Sequence, residues 1–499
     1  MRTVAGPTDH VVVVGAGLAG LSAALRLAAA GRRVTVLERE AVPGGRAGVW
    51  HAGGYAFDTG PTVLTMPELL EDAFACVGER LADHLDLVPL DPIYRGRFAD
   101  GSVLDVRAGV DATAEAIADV CGAREVAGYR RFVAWASALY RAQVRDFIDR
   151  NLDSPVDLLT PNLARLVALG GFRRLDPRVG RFLRDPRTRR LFSFQAMYAG
   201  VSPAQALALY AVIAYMDTVA GVWFPRGGVH AVPRALAAAA VRHGVDIRYR
   251  TAVTRAELRG ERAVAVQTAA GERIPADVLV LTPDLPVAAR TLLGRPPRRR
   301  LRYSPSCFLL LAGTRALDPP DAHHTIHFGH AWERTFDELL HQGRLMSDPS
   351  LLVTTPTRSD PTLAPAGAHA HSVLAPTPNL DAPIDWPRIG PRYRDELIAH
   401  LERLGYRGWG AAVEVEHVLT PADWAALGLE RGTPFAAAHT LRQTGPFRPP
   451  NLARGLANVV FAGSGTVPGV GVPMVLVSGR LAAERVTGPD PAYRSRAWP

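Results

Sequence analysis

Residues 9–38, DHVVVVGAGLAGLSAALRLAAAGRRVTVLE, constrain this chain more than any other stretch. Val11 to Val14 make an apolar, β-branched run suited to a parallel strand buried on both faces. Gly15, Gly17 and Gly20 follow at GxGxxG spacing, Leu18–Ala30 reads as an Ala/Leu-rich helix, and Gly31 ends it. Val34–Leu37 is a second strand with Glu38 at its end and Arg39 beside it. Strand, glycine turn, helix, strand and acid in this order predict a dinucleotide-binding βαβ unit. Gly15 permits the tight turn, Gly17 lets a pyrophosphate approach the backbone, and Gly20 lets the helix pack on the strand. Leu18 and Ala19 open the helix, whose N-terminus faces the anion, and an acid about 20 residues on takes a ribose hydroxyl. Arg26 and the glycines set this stretch apart from a signal peptide or a membrane span.

A second glycine pair follows in Pro43-Gly44-Gly45-Arg46-Ala47-Gly48, and Gly54-Tyr55-Ala56-Phe57-Asp58-Thr59-Gly60-Pro61 comes next, leading to Thr62. ExxxxxGGRxG before a (F/Y)DxGP turn resembles the flavin-binding half of the glutathione reductase/amine oxidase superfamily. The resemblance implies FAD, with the first fingerprint on its ADP half. Gly44, Gly45 and Arg46 then lie near the pyrophosphate and flavin side, and Arg39, Gly60, Pro61 and Thr62 join the cofactor-binding set.

At 499 residues, two or three domains are expected. Apolar content of 48% and charged content of 21% describe an ordinary globular chain, with no repeat and no low-complexity tract. The net charge of +9 does not point to nucleic acid. All 57 basic residues are arginine, a signature of GC-rich coding, and no nucleic-acid-binding motif accompanies them. The charge is uneven: residues 165–190 hold nine arginines against Asp176 and Asp185. Cys76, Cys121 and Cys307 are odd in number and far apart, so no disulfide framework is expected and a reducing cytoplasm is the default.

Leu85–Pro89, Ile93–Phe98 and Val103–Val106 read as short strands, and helical patterns follow over Ala112–Cys121 and Arg124–Arg150. Leu158–Leu175 is amphipathic and leads into the arginine cluster. It suits either a helix lying in an anionic headgroup layer or an ordinary surface helix. Pro203–Met216 reads as an apolar helix ending near Asp217, and Trp223-Phe224-Pro225-Arg226-Gly227-Gly228 returns the chain to the nucleotide unit. Asp246–Tyr249, Ala263–Thr268 and Ala276–Thr282 read as strands. His323, His324, His327 and His330 fall in a segment expected to be a loop, with no HExxH-type pattern to make a metal site. Residues 355–390 read as loops around one strand, His371–Ala375, and Pro391–Leu404 as a helix. Near the end, strand Asn458–Ala462 precedes Gly463-Ser464-Gly465-Thr466, then Gly471-Val472-Pro473-Met474 and a closing helix. In the flavin superfamily such an ending faces the flavin ring, where a helix N-terminus stabilises negative charge on the reduced cofactor.

YAGVSPxxALAxYAxIxYMDTxxGVxFPRGG, TPxDW…FRPxN and GxGTxPGxGVPMVLxSGRLAAERV together resemble the bacterial carotenoid desaturases of the phytoene desaturase type, over nearly the whole chain. That resemblance implies an α/β fold: a Rossmann-like FAD domain from 1–110, 225–320 and 440–499, and an α+β substrate lobe from 111–224 and 321–439. Helices in 158–190 would face a membrane. FAD would take a hydride from one allylic carbon of an extended polyene while a neighbouring carbon loses a proton. Gly463, Ser464, Gly465, Gly471, Val472, Pro473 and Met474 would complete the FAD site. Asp217 is the candidate proton acceptor, or else a helix-end or ion-paired carboxylate, and Arg226 is a candidate neighbour of the flavin. The expected partners are a long hydrophobic carotene and a membrane surface, with no nucleic acid and no metal, at the cytoplasmic face of the cell membrane. Oligomeric state is left open. The alternatives are a carotene desaturase, ketolase or isomerase acting on another carotenoid, an amine-oxidase-like flavoprotein, and a prenyl-lipid carrier without FAD.

Overall fold

The computed structural model describes residues 1–490 and Tyr493, apart from 298, 316 and 318. The first strand, His10–Val14, lies at the centre of a five-stranded parallel sheet. It is flanked by Arg33–Leu37 on one side and Val278–Leu281 on the other, with Asp246–Arg248 and Val459–Phe461 at the edges. Val11 to Val14 are buried, as a strand covered on both faces requires. Helix Leu18–Ala29 packs between the closing helix Val472–Thr487 and helix Ala231–Arg242. Ser22 Oγ donates to Leu476 O at 2.9 Å, fixing the first and last helices side by side. Each fully buried Val or Leu in this core contributes about 1.5–3 kcal/mol relative to exposure.

A second sheet of seven strands runs Val413–Leu419, Ser306–Arg315, Ala368–Thr377, Leu351–Thr354, His324–Phe328, Tyr94–Phe98, Val103–Val106. Its longest buried strand, Ser306–Arg315, is covered on both faces. Phe308, Leu310 and Ala312 meet helix Trp386–Arg403, whereas Cys307, Leu309 and Leu311 meet Tyr55 and Phe57 of the hairpin Val49–Asp58. Alternate side chains of one strand thus join the two halves of the molecule. A helical group around Ala123–Gln143 and Ala211–Thr218 shares a third core with Tyr94, Phe98 and Ile326 at the sheet's far end.

Several elements differ from the sequence reading. Leu158–Leu175 is not one helix: Pro161–Ala168 is helical, the chain turns at Gly170 (φ +74°), and Leu175–Val179 forms a separate short helix. Residues 203–207 are not helical either. Pro203 O and Ala206 O accept from the N–H groups of Asp176 and Leu175, and Ala208 N–H donates to Arg173 O, so this backbone is bonded across to 171–176. The helix proper begins at Ala211. The histidine-bearing segment contains a strand, His324–Phe328, because sheet pairing on both sides satisfies its backbone. Strands Tyr94–Phe98, Val103–Val106 and Ser306–Arg315, grouped from sequence with the nucleotide unit, hydrogen-bond into the second sheet.

Candidate active site

The first helix begins at Gly17 with no side chain capping it and no acid in its first turn. Its N-terminal N–H groups therefore remain available to an anion. A Cβ built on Gly20 would lie 2.1 Å from Gly15 O, so only glycine lets the helix sit on its turn. At Gly17 a Cβ would meet nothing nearer than Gly44 O at 3.8 Å: this side is open, and a larger side chain would fill it. Gly44 N–H donates to Ala16 O at 2.9 Å, which lays the second glycine pair alongside the first turn. Glu38 is buried, and its carboxylate accepts from Ala16 N–H at 2.7 Å and Glu40 N–H at 2.9 Å. An uncapped helix N-terminus, an open glycine floor and a buried acid fit the pyrophosphate and ribose of a dinucleotide.

The third glycine segment arrives from far along the chain. Arg46 donates to Ser464 Oγ and lies 3.4 Å from the buried Asp284 carboxylate, so the GGR loop, the strand end after Leu281 and the 463–466 turn converge on one guanidinium. Burial pushes the Asp284 carboxyl up, and Arg46 opposes that rise. Arg448 holds the same turn from behind: it is buried, donates to Ser464 O at 2.6 Å and Thr466 O at 2.9 Å, and burial pulls its guanidinium down to about 10. Gly463 N–H donates to Ser478 Oγ at 3.0 Å. Gly471 begins the closing helix without a side-chain cap, Val472 and Pro473 are buried in its first turn, and Met474 is half-buried.

Asp58 joins the hairpin to the FPRGG turn. Its carboxylate accepts from Val229 N–H at 2.8 Å and His230 N–H at 2.9 Å, and burial lifts its pKa to about 6. His230 Nδ1 lies 2.8 Å from Ala47 O, which ties that turn to the GGR loop. A Cβ on Gly60 would fall 1.9 Å from Arg46 O, and the Thr62 hydroxyl lies 3.3 Å from that of Thr354 on the second sheet.

Two predicted residues point elsewhere. Arg39 donates to Leu427 O at 2.8 Å and faces outward, and Arg226 forms an exposed pair with Asp86 at 2.7 Å. A charged turn beside a glycine pair gives no sequence signal for the direction its side chain takes.

Asp217 is neither a solvated helix end nor an ion-paired group. It is 2% exposed, with Tyr94 OH donating to Oδ2 at 3.3 Å and Gln195 Nε2 to Oδ1 at 3.5 Å. Burial raises its carboxyl well above the usual carboxylate range. Phe194 packs edge-on against Tyr94, and the His324 ring lies 5.6 Å from it. Sequence singled out Asp217 but missed Tyr94 and Gln195, which are far from it in the chain. It also missed Asp284, whose only signal is an acid directly after a buried strand. Among the described residues no cluster of His, Cys, Asp or Glu could hold a metal ion.

Residues 18–487 match the family described as Flavin containing amine oxidoreductase. The chain is 62% identical to Phytoene dehydrogenase from Streptomyces griseus, covering 100% of this chain and 99% of that one. It is 37% identical to a zeta-carotene-forming phytoene desaturase from Myxococcus xanthus, covering 96% and 93%. A solved oxidoreductase from Methanosarcina mazei superposes with a TM-score of 0.60 at 16% identity, covering 94% and 99%, which shows the shared fold. With the glycine cradle and these full-length likenesses together, the chain belongs to the flavin containing amine oxidoreductase family and, within it, to the FAD-dependent phytoene desaturases.

Proposed function

We propose that this protein desaturates phytoene, introducing double bonds on the way to lycopene in carotenoid biosynthesis. The observation that carries this reading is the 62% identity to a phytoene dehydrogenase along the entire chain. When bound, FAD supplies the hydride acceptor. Gly15, Gly17, Leu18, Ala19 and Gly20 would seat its pyrophosphate and Glu38 its ribose. Gly44, Gly45, Arg46, Gly60, Pro61 and Thr62 would flank it, and Gly463–Gly465 with Gly471–Met474 would approach from the C-terminal side. In this reading Asp217 accepts a proton at Oδ1 or Oδ2 when ionised, and Tyr94 and Gln195 orient it. A nearly apolar interior around it excludes water from the polyene.

We also infer two structural units: an FAD-binding unit from 1–110, 225–320 and 440–499, and a substrate lobe from 111–224 and 321–439. Sheet pairing supports moving 94–106 and 306–315 to the lobe. No described helix is long and apolar enough to cross a membrane. Val156, Leu159, Val167 and Phe172 are nonetheless exposed, at 70%, 75%, 61% and 43%, beside the arginine-rich segment. This combination supports docking on an anionic bilayer at the cytoplasmic face, from which a hydrocarbon could enter.

The test is incubation of the FAD-loaded protein with phytoene in liposomes under air, with chromatography of the polyenes. Products with longer chromophores are expected, and their spectra count the double bonds added. Conversion of an already conjugated carotene, with phytoene untouched, would move the protein to another carotenoid reaction.

A further inference from the structure

A second basic surface accompanies the arginine-rich segment 165–190. Residues 295–302, RPPRRRLR, hold five arginines, and neither 285–304 nor 431–458 contains an acid. These two acid-free stretches meet in the fold. Tyr303 bridges to Ala437, Ser304 N–H donates to Ala436 O at 3.0 Å, and Ala438 N–H donates to Arg302 O at 3.0 Å. Gln443 fixes the junction: its Oε1 accepts from Arg302 N–H and its Nε2 donates to Arg302 O, each at 2.8 Å. Arg299 donates to Phe447 O at 2.8 Å and to Arg442 O, so one guanidinium pins both ends of the turn 442–447. Arg299, Arg300, Arg302 and Arg442 are exposed, and among the described residues none of them pairs with a carboxylate. Glu430, the acid at the margin, is taken by Arg290 at 2.5 Å.

Two large apolar side chains stand out from the same turn: Leu441 is 52% exposed and Phe447 55%. Single exposed apolar residues are ordinary. Here a leucine and a phenylalanine flank one short turn lined with arginine. Their neighbours Gln443 and Arg448 are buried and bonded inward, Gln443 to Ala438 O and Arg448 to Ser464 O and Thr466 O, which leaves Leu441 and Phe447 outside. The turn is also joined to the surface around Phe172. Segment 208–210 lies between them: Tyr210 OH hydrogen-bonds with Thr444 Oγ1, Leu209 N–H donates to Gly171 O at 2.8 Å, and Ala208 N–H donates to Arg173 O at 2.7 Å. That segment leads straight into helix Ala211–Thr218, which carries Asp217.

We propose that the turn 441–447 is a second contact with an anionic bilayer: Leu441 and Phe447 enter the boundary between headgroups and acyl chains, and Arg299, Arg300, Arg302 and Arg442 meet lipid phosphates. The proposal rests on the docking reading for residues 156–172 given above. An anionic leaflet supplies both things this surface lacks, a counter-charge for exposed arginines and an apolar layer for the two side chains beside them. The planar guanidinium fork suits phosphate oxygens in particular. Once one patch has docked, the other is held close to the same leaflet, so the two contacts reinforce each other. Between them, segment 208–210 and the start of the Asp217 helix are held against the layer from which a hydrocarbon arrives.

The test is sedimentation of the FAD-loaded full chain with vesicles of phosphatidylglycerol and phosphatidylcholine in equal parts, beside vesicles of phosphatidylcholine alone. Arg300→Gln with Arg302→Gln and Arg442→Gln should weaken binding to the anionic vesicles by roughly tenfold or more at low salt, and by less as salt rises. Leu441→Ser with Phe447→Ser should weaken it by roughly threefold to tenfold, with little dependence on salt. Arg299 stays in place because it pins the turn, and unchanged flavin content and circular dichroism show that the variants fold. Adding Leu159→Ser and Val167→Ser to the Leu441 and Phe447 pair should multiply the two losses. Unchanged binding in the arginine variant or in the Leu441 and Phe447 pair overturns the proposal. A loss in the arginine variant alone assigns the surface to a charged partner without an apolar layer, and overturns it as well. Wild type that sediments with neither vesicle overturns the docking reading, and the second contact with it. A loss from Leu159→Ser with Val167→Ser but none from Leu441→Ser with Phe447→Ser keeps that reading and overturns only the second contact.

Discussion

The cradle around Gly17 and the pocket around Asp217 solve opposite problems. In the proposed reading the cradle would hold a charged ligand with backbone: an uncapped helix end, a floor without side chains and one buried acid. The Asp217 pocket holds a carboxyl inside an apolar core with side chains, Tyr94 and Gln195, drawn from two other elements. Backbone donors cost no ordering of long side chains and tolerate changes in their surroundings. A side-chain pocket keeps its chemistry only while each partner is in place.

The sharpest way to break this comparison is Gly17→Val. The backbone there has φ −75°, and a Cβ meets only atoms 3.8 Å or more away, so the fold should survive while the cradle is filled. Flavin released on denaturation should drop to under about a tenth of wild type, with circular dichroism unchanged. Full flavin loading would show that the floor does not face the cofactor.

Asp217→Asn should leave flavin loading intact and slow turnover by about 10²-fold or more. Because Asp217 must be ionised to accept a proton and its carboxyl is raised, wild-type kcat/KM should fall with acid through a limb well above the ordinary carboxylate pKa of about 4. Wild-type turnover in the asparagine variant would remove Asp217 from the chemistry.

Acid should also separate the two regions. Burial depresses His323, His327 and His371 from 6.5 to about 3, and pulls His324 well below its ordinary value. With folded values below unfolded ones, their contribution is present above pH 6.5 and is lost as pH falls from there towards 3. Each costs about 1.4 kcal/mol per pH unit in that window. Hydrogen exchange should show 324–328 and 368–377 opening before 10–37 as pH falls from about 7 to 5. Simultaneous opening would mean the two sheets unfold as one unit.

The smallest effect concerns the surface. Leu159→Ser with Val167→Ser should weaken sedimentation with anionic vesicles by roughly threefold to tenfold without touching flavin content. Unchanged sedimentation would move any docking surface elsewhere.

Legibility in the sequence follows the same division. Gly15 to Thr62 lie within one local run, so spacing alone predicts the turn, the helix and the acid, and the structure has all three. The C-terminal glycine turn is visible as a motif, but its tie to Arg46 depends on folding across hundreds of residues, and spacing does not show that Arg448, 16 residues upstream, turns back onto it. Leu158–Leu175 and Pro203–Met216 have helical periodicity, yet their backbones bond to each other across residues 171–176 and 203–209, and periodicity does not register such pairing. Asp217 was conspicuous as an acid after an apolar run. Its pocket was hidden because Tyr94 comes from the sheet and Gln195 from a separate short turn.

The most direct measurement of the central claim is anaerobic titration of the flavin-loaded protein with phytoene in liposomes, reading the flavin band and the extracted polyenes together. The account predicts bleaching that tracks the polyene, with each flavin reduced matched by one new double bond. A flavin band unchanged by phytoene would contradict it.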